Sequence, residues 1–234
     1  MRMGKPQVIP VERVSLTYAS WAWPFAAQRR AGIEAYFAEQ REKNPALWNG
    51  PVLLLRNCRI EDREFAGSLF ETDYASMLAG HEWGAIGDDI KAGFGVAALV
   101  SSDRAFVAGV MAPHTRNAGQ IYFPSGSIDP GDVVESKVDL YGSVQRELTE
   151  ETGLAPVDVE PERGWYAVLA GADLPVLKIL RAREPAEDLK ARILTNLASQ
   201  AQPEFTDVRL LRSPSDIDPR MPQWMTAFLA HVWG

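Results

Sequence analysis

The chain has 234 residues, of which 46% are hydrophobic and 24% charged, a composition that indicates a packed globular protein and excludes a wholly disordered one. Its net charge is −7 and no long run of Lys and Arg occurs, so we expect no nucleic-acid partner. The apolar runs are too short to span a bilayer, so we expect no membrane partner. A single cysteine, Cys58, excludes an intrachain disulfide and fits the reducing cytoplasm, where we expect the protein to act.

The first part of the chain, residues 1–91, has the pattern of an N-terminal α+β extension. Residues 11–18 alternate in polarity as a strand does, and residues 25–43 carry an apolar face typical of a helix that Asn44 and Pro45 end. The later elements predicted here are a strand at 52–60, a partner strand at 65–70 and a short helix from a cap at Thr72 to residue 78.

The second part, residues 92–234, predicts a domain in which strands and helices alternate. Two apolar strands, 95–101 and 105–111, are joined by a short polar turn that indicates a hairpin. Asp139 opens a helix that Gly153 ends. The remaining predicted elements are strands at 121–123, 165–170, 176–182 and 205–211 and helices at 186–199 and 222–233. The two parts are also compatible with one shared core.

Three glutamates crowd the end of the helix that starts after Asp139. Glu147, Glu150 and Glu151 lie at i, i+3 and i+4, within an arc of roughly 100°. Their mutual repulsion and the helix dipole both disfavour this arrangement, and a bound cation reverses both effects. Oxygen ligands alone favour Mg²⁺ or Mn²⁺. The alternative is a solvated acidic face on which Arg146 pairs with Glu150.

The residues around these glutamates resemble the signature of the Nudix (MutT-type) hydrolase family. That signature is Gly, five residues, Glu, seven residues, then Arg-Glu-apolar-x-Glu-Glu-x-Gly-apolar. Residues 146–154, Arg-Glu-Leu-Thr-Glu-Glu-Thr-Gly-Leu, match its second half in full, and residues 126–132 look like its first half, with Asp132 at the acidic position. The resemblance covers about residues 92–234 and implies a Nudix-type α/β/α sandwich around a mixed β-sheet.

The sequence departs from this signature before the helix. Thirteen residues separate Asp132 from Arg146 where the family has seven, Asp replaces Glu, and Ser125 replaces a Gly. We interpret the excess as a six-residue loop insertion at about residues 133–138. Loops tolerate such insertions at a cost of about 0.6 kcal/mol per doubling of length. We therefore expect an intact helix and a structural or auxiliary role for Asp132.

The resemblance implies an acid anhydride hydrolase that cleaves the pyrophosphate bond of a nucleoside diphosphate linked to another group. It implies that Glu147, Glu150 and Glu151, with a backbone carbonyl at Gly126, bind Mg²⁺ or Mn²⁺. Arg146 is then expected to orient a glutamate by a bidentate contact. Glu147, Glu150 and Arg146 are therefore assigned to the catalytic set.

Three further residues are candidates outside the signature. Glu204 precedes a predicted strand and is our candidate general base, or else an ordinary charge at a strand edge. His114 and Arg116 lie in the loop before the signature, where they either bind substrate phosphates or are solvated loop charges. His81 shows no metal-like spacing and is interpreted as structural. Trp21, Trp23, Trp48 and Trp83 are expected to be buried in a core, and the alternative is that they stack on a base.

A nucleotide sugar or a compound like ADP-ribose is the favoured substrate. The competing hypothesis is a catalytically weak Nudix-fold module that binds a nucleotide or serves regulation. Nudix enzymes often dimerise, so residues 1–91 are open to two roles, a homodimer element or a substrate lid.

Overall fold

The computed structural model describes residues 5–87 and 89–234. The strands are β1 Gln7–Val11, β2 Arg13–Tyr18, β3 Pro51–Glu61, β4 Glu64–Asp73, β5 Ile90–Val100, β6 Phe106–Met111, β7 Ile121–Tyr122, β8 Ser125–Ser127, β9 Val133–Val134, β10 Lys137–Val138, β11 Val159–Pro161, β12 Trp165–Leu169, β13 Asp173–Ala182 and β14 Phe205–Leu211. The helices are α1 Pro24–Gln28, α2 Arg30–Lys43, α3 Tyr74–Glu82, α4 Leu140–Thr152, α5 Ala186–Ser199 and α6 Gln223–Trp233. None of these helices is long and apolar enough to cross a membrane.

A mixed sheet dominates the described part of the chain and joins all fourteen strands. Its main path runs β1-β12-β13-β5-β3-β4-β2-β10-β9, and β6, β7, β8, β11 and β14 attach beside it. β13 runs parallel to β5 and β2 parallel to β4, whereas most other pairs are antiparallel. The predicted α/β class with a mixed sheet is confirmed.

Helices cover both faces of the sheet at β5. Val96, Ala98 and Val100 belong to the core cluster that contains the apolar face of α6. Ala97 and Leu99 belong to a second cluster, which contains the buried residues of α4 and α5. Because successive strand residues point to opposite faces, the continuous apolar run of β5 is what two helical layers require. The result is the α/β/α sandwich that was expected.

The N-terminal strands belong to the same sheet as the rest of the chain. β1 pairs with β12, and β3 pairs with β5 through Leu55 and Arg56. α1 and α3 pack on β3 and β4 around Leu54, Phe70 and Met77, and α2 packs on α3. The boundary predicted between residues 91 and 92 lies inside β5, and the division into 1–91 and 92–234 stays a proposal.

Several predicted elements have the expected limits, β4, β5 and β13 are longer than expected, and three further elements differ in kind. The hairpin of β5 and β6, helix α5 and strand β14 are confirmed. The single strand at 11–18 is wrong, because Glu12 interrupts it and β1 and β2 pair with different partners. The helix at 25–43 is divided at Arg29, whose ψ is 13°. The short third helix is capped by Asp73 rather than Thr72, with Asp73 accepting from the Ser76 amide at 2.9 Å, and it extends to Glu82.

The six-residue insertion forms a small hairpin rather than the predicted loop. β9 and β10 are joined by Glu135 and Ser136, whose φ values are 48° and 66°. β10 extends the sheet beside β2, and the Tyr18 amide donates to the Ser136 carbonyl at 2.9 Å. The extra residues therefore pair with the N-terminal strand β2, and helix α4 begins after Asp139 without distortion.

The contact between β5 and α4 gives a stability prediction. A β-carbon on Gly95 would lie 2.8 Å from Val144 Cγ2, whereas one on Gly93 would meet Leu55 at an ordinary 3.4 Å. We expect Gly95→Ala to lower the free energy of unfolding by about 1–3 kcal/mol through overpacking. The matched control Gly93→Ala should stay close to the unchanged protein. Urea denaturation of both variants measures the difference, and equal stabilities would contradict this packing.

Candidate active site

Helix α4 is held in place at both ends and along one face. The Asp139 carboxylate accepts from the Gly142 amide at 2.9 Å, and Gly153 ends the helix with a φ of 76°. Val144 and Leu148 are fully buried against the sheet. These contacts fix the rotation of the helix, so the positions of its glutamates follow from the fold.

Glu147 lies against the short strand β8. Its side chain is only 13% exposed, and a β-carbon added to Gly126 would collide with its carboxylate. Burial raises the pKa of Glu147 to about 7, with Glu150 and Glu204 adding to the rise and Arg146 opposing it. Glycine at position 126 is therefore needed for the carboxylate to approach the backbone this closely.

Glu151 occupies the position one helical turn further and is 3% exposed. Its Oε2 accepts a hydrogen bond from the Ser125 amide at 3.0 Å. Burial raises the pKa of Glu151 well above its usual value, and the nearby carboxylates of Glu204 and Glu147 raise it further. A carboxyl buried beside two others is costly to ionise unless a cation joins the group.

Arg146 links the helix to the loop that precedes it. Its Nη1 donates to Glu147 at 2.6 Å, while its Nη2 donates to the two carboxylate oxygens of Asp132 at 3.1 and 3.3 Å. Asp132 is buried and also accepts from the Asp129 amide at 3.1 Å. The expected contact between Arg146 and a glutamate is present, but the two-oxygen contact is made to Asp132. Asp132 thus orients Arg146, which in turn orients Glu147.

A cleft of about 770 Å³ opens in front of these residues. It brings together six residues singled out in the sequence, namely Gly126, Glu147, Glu150, Glu204, His114 and Arg116. Arg146 and Glu151 lie behind this surface. Glu204 is exposed and directly precedes β14, and its backbone carbonyl accepts from the Ala112 amide at 2.7 Å. The fold therefore gathers residues that are up to 90 positions apart in the sequence.

The cleft also contains residues that were not assigned to the site from the sequence. Trp48 is 75% exposed and lines the cleft, so the expectation that it is buried is wrong. Trp83, at 43% exposed, is likewise not buried, whereas Trp23 is.

His81, interpreted as structural, faces the cleft with its Nε2 3.5 Å from Asp173 Oδ1. Burial lowers the pKa of His81 and Asp173 opposes the change. No sequence pattern marks Asp173, which reaches the cleft through strand β13.

The donor set of the cleft fits a hard divalent cation in its chemistry. Glu147, Glu150, Glu151 and Glu204 offer only oxygen atoms, and two of these carboxyls are buried with raised pKa values. Within residues 5–87 and 89–234, however, no three His, Cys, Asp or Glu side chains form a ready-made metal cluster. Glu150, with a side chain 60% exposed, lies 3.7 Å from Arg146 Nη1, which is the pair that the alternative of a solvated acidic face predicts. Metal binding by these residues stays a prediction.

Comparison with known proteins gives structural neighbours but no sequence relative. No family model matches the sequence, and no curated protein matches it significantly. A solved Nudix hydrolase from M. smegmatis, RenU, is 15% identical, covers 61% of this chain and 84% of its own, and has a TM-score of 0.42. MutT protein from Methanosarcina mazei is 16% identical, with coverages of 60% and 91% and a TM-score of 0.41. An Ap4A hydrolase from C. elegans is 13% identical, with coverages of 59% and 94% and a TM-score of 0.42. At identities of 13–16% and TM-scores of 0.41–0.42, these three proteins are structural neighbours only, and the choice of function depends on the cleft.

The close approach of Glu147 to Gly126 gives a prediction about the site. Gly126→Ala should displace the carboxylate and weaken Mn²⁺ binding by about 10-fold or more, as the loss of a supporting contact in a metal site does. Ser125→Ala is the matched control, because Ser125 contributes its backbone amide, which the change preserves. Calorimetric titration with Mn²⁺ measures both. Equal Mn²⁺ affinity in the two variants would contradict a metal role for Glu147.

Proposed function

We propose that the protein is a Nudix-type hydrolase that uses Mg²⁺ or Mn²⁺ to cleave the pyrophosphate bond of a nucleoside diphosphate linked to a second group. The observation that carries this proposal is the placement of Glu147 and Glu151. Both carboxyls are buried, one turn apart, against the backbone of Gly126 and Ser125, beside an open cleft. A surface with a purely structural role has no need to bury two like charges together.

Each residue of the group has a separate role in this proposal. Glu147, Glu150, Glu151 and the Gly126 carbonyl hold the metal ion, which when bound neutralises charge on the diphosphate and lowers the pKa of water. Arg146 keeps the Glu147 carboxylate oriented toward β8 through its contacts with Glu147 and Asp132. These residues prepare the site before substrate arrives, which spares the reaction a costly reorganisation.

The opposite side of the cleft holds the groups proposed to handle substrate and water. Glu204 is the candidate general base, because its exposed carboxylate lies close enough to raise the pKa values of Glu147 and Glu151. Arg116 and His114 are the candidate phosphate ligands. Arg116 makes no ion pair with any residue in the described part of the chain, which leaves its guanidinium available for an anion. A dimeric state and a cytoplasmic location stay predictions.

The alternative is a module that binds a nucleotide without turnover. An intact Arg-Glu-x-x-Glu-Glu set favours the enzyme, since binding alone does not require all three acids. A substrate panel that spans ADP-ribose, nucleotide sugars, dinucleoside polyphosphates, coenzyme A and nucleoside triphosphates, with identification of the products, separates the two. No product from any of them, together with unimpaired ligand binding by Glu151→Gln, would leave the binding module as the better description.

Removing one buried carboxylate tests the proposed chemistry. Glu147→Gln should lower kcat by about 10³-fold, because the metal ion supplies several kcal/mol of transition-state stabilisation. Glu34→Gln, on the exposed face of α2, is the control and should leave kcat unchanged. EDTA should abolish turnover, and added Mg²⁺ or Mn²⁺ should restore it. Turnover by Glu147→Gln at the rate of the control would contradict the assignment.

Trp48 gives a prediction about the nucleotide base. A β-carbon on Gly50 would lie 1.9 Å from Cζ3 of Trp48, so the indole ring packs directly against Gly50, and Trp48 is still 75% exposed. Stacking of a base on an exposed indole contributes about 1–3 kcal/mol. Trp48→Ala should therefore weaken ADP binding about tenfold or more and leave pyrophosphate binding unchanged. Trp48→Phe should recover most of the loss, and Trp83→Ala is the matched control. Equal weakening of ADP and pyrophosphate would argue against stacking.

A further inference from the structure

A second cavity of about 380 Å³ adjoins the cleft. The two share five lining residues, Leu47, Tyr74, His81, Thr115 and Arg116. The side pocket therefore borders the cleft along these residues. Its volume lies in the range of small-molecule sites, roughly 300–1,000 Å³.

The side pocket is built mainly by residues that precede β5. Tyr36, Gln40 and Lys43 come from helix α2, and Glu82 comes from the end of α3. The Asn44 side-chain amide donates to the His114 carbonyl at 2.9 Å, which holds the end of α2 to the loop that carries Arg116. The pocket is therefore a fixed feature of the wall between the N-terminal helices and the cleft.

The charges of the side pocket are opposite to those of the protein as a whole. The chain has a net charge of −7, yet the pocket contains two permanent cations, Lys43 and Arg116, and one carboxylate, Glu82. Neither cation forms an ion pair with a residue in the ranges 5–87 and 89–234. Unpaired cations in a concave site favour an anionic ligand.

The uncharged lining residues suggest what carries that anionic group. The side-chain amide of Gln40 makes no hydrogen bond to any described residue, and the Thr115 hydroxyl, which donates to the Ala112 carbonyl at 2.8 Å, can still accept one. The rings of Tyr36 and Tyr74 supply flat surfaces. Amides, hydroxyls and flat rings together match a sugar-like group, which presents hydroxyls at its edges and C–H bonds on its faces.

We propose that the side pocket binds the second group of the substrate, and that this group is a sugar that carries a negative charge, with Lys43 as the residue that reads the charge. The inference rests on the proposed function, because it takes the diphosphate to lie at the glutamates. In this proposal, residues 30–47 recognise the group on the far side of the pyrophosphate.

UDP-glucuronate and UDP-glucose test this assignment because they differ by one carboxylate. Calorimetric titration of the full chain carrying Glu204→Gln, in Mn²⁺, removes the candidate general base and keeps the proposed metal ligands. It should give an affinity about fivefold higher for UDP-glucuronate, the size of a well-formed exposed ion pair. Lys43→Gln should reduce that preference to less than about twofold, and Lys43→Arg should retain it. Arg41→Gln is the matched control, since Arg41 lies in the same last turn of α2 but outside the pocket.

The outcomes separate this inference from the proposed function. Equal affinity for the two compounds, no measurable binding of either, or the same loss of preference in Lys43→Gln and Arg41→Gln would overturn the side-pocket assignment. A preference that depends on Lys43, without hydrolysis of either compound in Mg²⁺, would uphold the pocket and remove the enzymatic function. If the protein hydrolyses these compounds, Glu147→Gln abolishes the hydrolysis, and no preference for the charged sugar is found, the enzymatic function would stand and the side-pocket assignment would fall.

Discussion

The burial of like-charged carboxyls between α4 and β8 is the constraint on which the rest of the site depends. Glu147 and Glu151 are brought together at the backbone of Ser125 and Gly126, where burial raises the pKa values of both. Such an arrangement is unfavourable by itself and is held by the packing of Val144 and Leu148 into the core. The helix is thus stabilised on its apolar face and kept poised for a cation on its acidic face.

The contacts of Arg146 connect helix α4 to the loop in which the sequence departs from the signature. Asp132 accepts a hydrogen bond from Arg146 at 3.1 Å, and the residues that follow Asp132 form the β9–β10 hairpin. That hairpin pairs with β2, so the insertion connects the signature to the N-terminal strands. The same N-terminal region forms the side pocket and presents Trp48 to the cleft. The insertion in the signature and the N-terminal region that forms the side pocket are therefore in direct contact.

Some of the candidate site was predictable because its signals are local. The cap at Asp139, the apolar stripe of α4 and the left-handed Gly153 each depend on neighbours within a few positions. The hairpin was not predictable in this way, because Glu135 and Ser136 adopt positive φ without the Gly or Asn that usually marks such a turn. The exposure of Trp48 and the position of Asp173 were missed for a different reason: they depend on where the segment between α2 and β3, and strand β13, lie relative to β8.

The sequence by itself determined the α/β class, most helices and strands, and the spacing that places three glutamates on one helix face, because periodicity and capping act over short distances. Only the tertiary structure decided that Arg146 pairs with Asp132 as well as Glu147, that Glu151 is buried beside Glu204, and that Arg116 faces both cavities. Arg146 and Asp132 are 14 positions apart and Glu151 and Glu204 are 53 apart, and sheet pairing between distant strands is what brings such residues within reach.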